Sequence, residues 1–114
     1  MNKKFALSDA DIAAFLCILD IVPYVLYDYQ DTVSIFYKQS CLSARLKLES
    51  LNLESISDSE IKSMVFSLYA ATQIFSGEIP VDQEDLSALS QFRFDINRLA
   101  STFVNEINEL TTIH

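Results

Sequence analysis

Few side chains in this chain could do chemistry, and they do not cluster in the sequence. The single histidine, His114, is the final residue of the 114. A general base or a metal ligand needs fixed neighbours, which a terminal residue lacks, so no catalytic role is expected for it. Cys17 and Cys41 are the only thiols. Their spacing matches no zinc or redox motif. Both fall inside apolar helical patterns and read as small buried hydrophobes in a reducing compartment. A disulfide between them is the alternative in an oxidising one. One glycine in the whole chain excludes a glycine-rich phosphate loop. The carboxylates are scattered along helix surfaces and lack the Glu-x-x-His elements of a di-iron bundle. The expectation is a non-enzymatic protein with no catalytic residue, no metal and no cofactor.

Charge narrows the partners. Sixteen acidic against eight basic side chains give a net charge of −8, the wrong sign for gripping a phosphate backbone directly. From Gly77 onward, seven acidic residues face two arginines. Glu84, Asp95, Glu106 and Glu109 form a candidate acidic surface on the last predicted helix. Glu106 and Glu109 sit near its end, where the helix dipole favours cations instead.

Aromatic residues add candidate contacts. Tyr24, Tyr27 and Tyr29 crowd beside Pro23, and tyrosine suits interfaces because it offers apolar area with a polar tip. A packed corner between helices would use them equally well. Phe94 lies far round from the apolar stripe of its helix, where Arg98, four residues on, could stack on its ring.

The elements that must carry these residues are helical. Half of the chain is apolar, with eight Phe and five Tyr, which excludes disorder. One Gly and two Pro are too few breakers for the turns of a sandwich or barrel. Ser8 with Asp11, Ser57 with Glu60, and Asp82 with Asp85 each mark a helix start. Gly77 marks a stop, and Pro23 should end or kink the first helix. The reading is an all-α, single-domain bundle over residues 1–114, packed around its first helix. Its four main helices span about 9–22, 32–53, 58–75 and 83–111, with a short helical piece near 24–29. An unbroken last helix would be ~42 Å long at 1.5 Å per residue, so it must bend or project. The basic start Met1-Asn2-Lys3-Lys4 is interrupted by Asp9 and Asp11. The apolar run that follows holds Asp20 and Pro23 and is too short for a span. Neither a leader nor a membrane helix is expected, and the cytoplasm is the default location.

The helix over 32–53 is apolar on two opposite sides. Val33, Phe36, Tyr37, Cys41, Ala44, Leu48 and Leu51 follow one helical stripe. Ile35, Leu42, Leu46 and Leu53 form a second, about half a turn away. That second stripe must be sandwiched between the first and last helices or covered by another chain. The candidate interface is therefore Ile35, Leu42, Leu46 and Leu53, with Phe94, Tyr24 and Tyr27. The function expected is that of a small acidic non-enzymatic interaction or regulatory protein that binds another protein, with inhibition of that partner as one mode of action. Self-association as a homodimer through the second stripe is part of that reading, and neither nucleic acid nor membrane is a direct partner. One rival is an acidic nucleic-acid mimic that fills the basic groove of a DNA- or RNA-binding protein. Another is a small ligand-binding bundle.

Overall fold

The computed structural model describes residues 6–26 and 32–111, with side chains given from residue 35 onward in the second segment. Among these residues the regular structure is helical throughout. Six α-helices follow in order: α1 (Asp9–Leu26), α2 (Thr32–Glu49), α3 (Asp58–Phe75), α4 (Gln83–Ser90), α5 (Arg93–Thr102) and α6 (Val104–Thr111). A single 3₁₀ turn, Leu53–Ser55, links α2 to α3. No helix among the described residues is long and apolar enough to cross a membrane.

The helix starts form where the capping chemistry places them. Ser8 N–H donates to Asp11 Oδ2 at 3.0 Å, and Asp11 N–H donates back to Ser8 Oγ at 3.2 Å. Ser57 and Glu60 make the same reciprocal pair at the start of α3. Asp82 accepts from the Asp85 N–H at 2.8 Å. At the end of α3, Gly77 takes φ +87°, with Glu78 N–H bonding to Gln73 O and Gly77 N–H to Ile74 O. That crossed pair is a Schellman stop.

Three expectations need correction. First, α1 does not end at Val22 but runs through Pro23 to Leu26. The Pro23 ring is buried in the core, and packing there outweighs the lost backbone bond. Tyr24, expected in a separate helical piece near 24–29, belongs to the last turn of α1, whereas residues 27–29 lie outside the described residues. Second, the expected helix over 83–111 is three helices. The longest extent of the molecule is 35 Å, too short for the ~42 Å an unbroken helix would need. At Phe92 and Phe103 the backbone leaves the helical region, and both rings turn toward the core. Thr102 Oγ1 helps at the second break by bonding the Arg98 carbonyl at 3.1 Å, a back-bond that bends helices. Third, α2 stops at Glu49 rather than near 53. Leu53 therefore leaves the second stripe and packs, half-buried, against the core.

One hydrophobic core joins all six helices. Phe15, Ile18 and Val22 of α1 meet Cys41, Ala44 and Leu48 of α2 and Met64, Leu68 and Ala71 of α3. Leu89, Ile96, Leu99, Phe103 and Ile107 bring in α4 to α6. The hub is α3, which packs against each of the other five helices, whereas α2 packs against α1 and α3. A helix with its packing partners on one side keeps an outer side free. That position sets up the surface considered next.

Candidate interaction surface

At roughly 100° per residue, Tyr37, Cys41, Ala44 and Leu48 form one line along α2, and these residues pack inward. Ile35, Leu42 and Leu46 lie on the opposite side, and the chain does not cover them. Their exposures are 38%, 49% and 55%, while Phe36 and Leu51 reach 70% and 68%. A sandwich between the first and last helices is thus not what the chain builds. Phe36 and Leu51, assigned to the inward stripe from the sequence, are exposed instead. Phe36 sits at the shoulder of the helix, and Leu51 lies past its end, so neither reaches the core.

Leu51 carries a second anomaly. Its φ is +58°, the left-handed region. Asn52 N–H bonds to Lys47 O at 2.9 Å and Leu51 N–H to Leu48 O at 3.1 Å, so α2 ends in the same Schellman stop as α3. Glycine fills that position in α3, and in α2 a leucine does. An L-residue is strained there by roughly 1–2 kcal/mol, and this leucine regains little of that by burial.

Charged groups frame one flank of the face. Arg45 Nε lies 2.8 Å from Asp20 Oδ1 of α1, and Arg45 Nη1 lies 3.3 Å from Glu49. Lys38 shares that flank and makes no ion pair among the described residues. At the far end of α2, Lys47 bonds Glu60 Oε1 at 2.8 Å, and Ser43 donates to Glu60 Oε2. Burial alone would raise the Glu60 pKa. The Lys47 ammonium, the Ser43 hydroxyl and the Ser57 N–H outweigh it and hold the carboxyl at about 2. Beneath α2, burial pushes the Cys41 thiol up, against weaker opposing bonds from Ser67 and Tyr37. Burial likewise raises Cys17, with Asp20 and Asp85 adding to it. Both cysteines are free, and a thiol with a raised pKa makes a poor nucleophile.

The remaining expected contact residues do not join this face. Tyr24 is exposed on the last turn of α1, and Tyr27 lies outside the described residues. Phe94 is exposed on α5, a helix that packs against α1, α3 and α6. Arg98 does not stack on it. Its guanidinium bonds Asp11 across the fold and Asp95 at 3.0 Å. The stacked arginine is Arg93, 4.1 Å above the Phe75 ring.

The four expected acidic residues disperse as well. Glu84 is exposed on the first turn of α4, and Asp95 is half-buried against Arg98. Glu106 and Glu109 do come together. With Asp58 and Lys62 they line a groove of about 290 Å³ between α3 and α6, alongside the apolar Ile61, Val65 and Leu110. Among the described residues no three His, Cys, Asp or Glu side chains are placed to hold a metal ion. Comparison with protein-family models, curated proteins and solved structures finds no match to this chain.

Proposed function

We propose that this protein is a non-enzymatic binding module that docks another protein chain on the outer face of α2. The observation that carries this reading is the uncovered set Ile35, Leu42 and Leu46 on the outer side of α2, with exposed Phe36 at its shoulder and exposed Leu51 just past its end. Single exposed apolar residues are ordinary, but three that recur on one side of a helix mark a contact surface. Fully burying one leucine or isoleucine is worth roughly 1.5–3 kcal/mol, so a partner that covers the set recovers several times that. The strained Leu51 at the edge supports the same reading, since strain without local benefit points to function.

Leu42→Glu combined with Leu46→Glu tests it. Both side chains are already exposed, so circular dichroism and cooperative unfolding should match the wild type. A bound protein chain held in fixed stoichiometry by the wild type should be lost from the variant. Equal retention by both proteins would refute the assignment of this face. A monomer with enzymatic turnover unaffected by the variant would refute the binding-module reading as a whole.

A further inference from the structure

We infer that the occupant of the α2 face is a second copy of this chain, packed antiparallel about a two-fold axis; this rests on the binding-module reading above. The argument comes from the symmetry of the face itself. In an antiparallel helix pair about a two-fold, a residue at a given height meets the residue equally far on the other side of the midpoint. Take that midpoint between Ser43 and Ala44. Leu42 and Leu46 straddle it and supply the centre of the contact. Phe36, at the shoulder of the helix, and Leu51, past its end, lie toward the two ends of this contact. Lys38 and Glu49 are also equidistant from it, and at roughly 100° per residue they fall on one flank. A two-fold of this kind places like flanks together, so Lys38 of each copy faces Glu49 of the other, twice.

Charge agrees with this register. Lys38 makes no ion pair among the described residues. Arg45, nearest the axis on the same flank, is already held by Asp20 at 2.8 Å and by Glu49 Oε2 of its own helix at 3.3 Å, so the Lys38 of the other copy would share Glu49 with Arg45. The axis therefore does not bring two unneutralised arginines together. A parallel pairing would put Lys38 beside Lys38 and Glu49 beside Glu49.

Area sets the strength. An 18-residue helix is ~27 Å long and ~10–12 Å across. Laying one such face on another removes on the order of 1,000 Å² in total, below the ~1,200 Å² of stable complexes. The dimer is thus a weak, reversible one.

Sedimentation equilibrium from micromolar to millimolar protein provides the test. The wild type should show a monomer–dimer equilibrium, and Leu46→Glu should remain monomeric with unchanged helicity. At physiological ionic strength, where the repulsion between the two acidic chains is largely screened, Lys38→Glu alone and Glu49→Lys alone should each weaken the dimer about tenfold, since each replaces two attractive pairs by two repulsive ones. The double variant Lys38→Glu with Glu49→Lys should return to within about threefold of the wild type. A double variant no tighter than either single one overturns the antiparallel register. A wild type monomeric throughout, whose α2 face still holds a different protein and loses it on Leu42→Glu/Leu46→Glu, overturns the dimer but leaves the binding-module reading standing. If that capture is also unaffected, both fall.

Discussion

Leu51 and Gly77 occupy the same position in the same helix stop, one strained and one relaxed. Among the described residues Leu51 is the only non-glycine at positive φ. Leu51→Gly should therefore stabilise the protein by about 0.5–1 kcal/mol, the strain relieved less the extra freedom glycine has when unfolded. Gly77→Ala should do the reverse by about 1 kcal/mol. A Cβ built at Gly77 meets nothing within 4 Å, so the loss is purely conformational. Paired urea denaturation of the two variants checks both signs. If Leu51→Gly also weakens self-association, the strain serves the contact. Glu60 carries a pH dependence of its own. Its folded-state pKa of about 2 lies below the ordinary 4.5, so folding favours the ionised form. The stabilisation is complete above about pH 5 and is lost as pH falls from the unfolded value through about 2. Such a shift corresponds to about 3 kcal/mol. Glu60→Gln should accordingly show a flatter stability profile than the wild type between pH 5 and 2, read from urea midpoints. Asp11, for which burial is outweighed by Arg98 and Ser8, adds a further loss of the same sign in both proteins.

Both capping-box carboxylates do two jobs, and only one of them can be read locally. Asp11 caps α1 and also bonds Arg98 of α5; Glu60 caps α3 and also bonds Lys47 and Ser43 of α2. The local half was legible because Ser-x-x-Asp and Ser-x-x-Glu encode it within four residues. The tertiary half spans 87 residues for Asp11 and Arg98, and no local pattern records it. Arg98→Met leaves Asp11 a buried carboxylate with only Ser8 as partner, and should destabilise the protein. Arg45→Met, whose partner Asp20 is largely exposed, should stay within about 0.5 kcal/mol. Urea unfolding of the two variants should separate them clearly; equal effects would mean the Asp11 contact is no stronger than a surface pair. Helix limits followed the same division. The ends at Ser57 and Gly77 were legible, because capping and left-handed turns are local chemistry. Pro23 inside α1 and the breaks at Phe92 and Phe103 were not. In each, burial of a ring in the shared core overrides local preference, and neither break carries Gly or Pro to announce it.

For the molecule as a whole, the legible part of the candidate site was the second stripe. Ile35, Leu42 and Leu46 recur at intervals of seven and four residues and do lie uncovered on α2. Leu53 was lost from that stripe because the helix stops before it. Phe36 and Leu51 were missed because a stripe read at even spacing has no sharp edge, and the core reached only as far round α2 as α1 and α3 allow. Dimerisation through that face must also overcome the field of the whole chain. Two copies, each of net charge −8, repel one another by several kcal/mol at low salt, where the Debye length is ~30 Å; at physiological ionic strength it is ~8 Å and most of that repulsion is screened. The Lys38–Glu49 rim pairs are weakened by the same screening, but exposed pairs are worth only about 0.2–1 kcal/mol each. Repulsion between the two chains is the larger effect, so salt should favour association. Raising ionic strength from about 0.01 M to about 0.15 M should tighten the dimer by at least about tenfold, measured by sedimentation equilibrium at constant pH. A basic partner on this acidic chain would respond in the opposite sense, with added salt weakening its binding. Self-association that weakened with salt would mean charge attraction, not the apolar α2 face, holds the copies together.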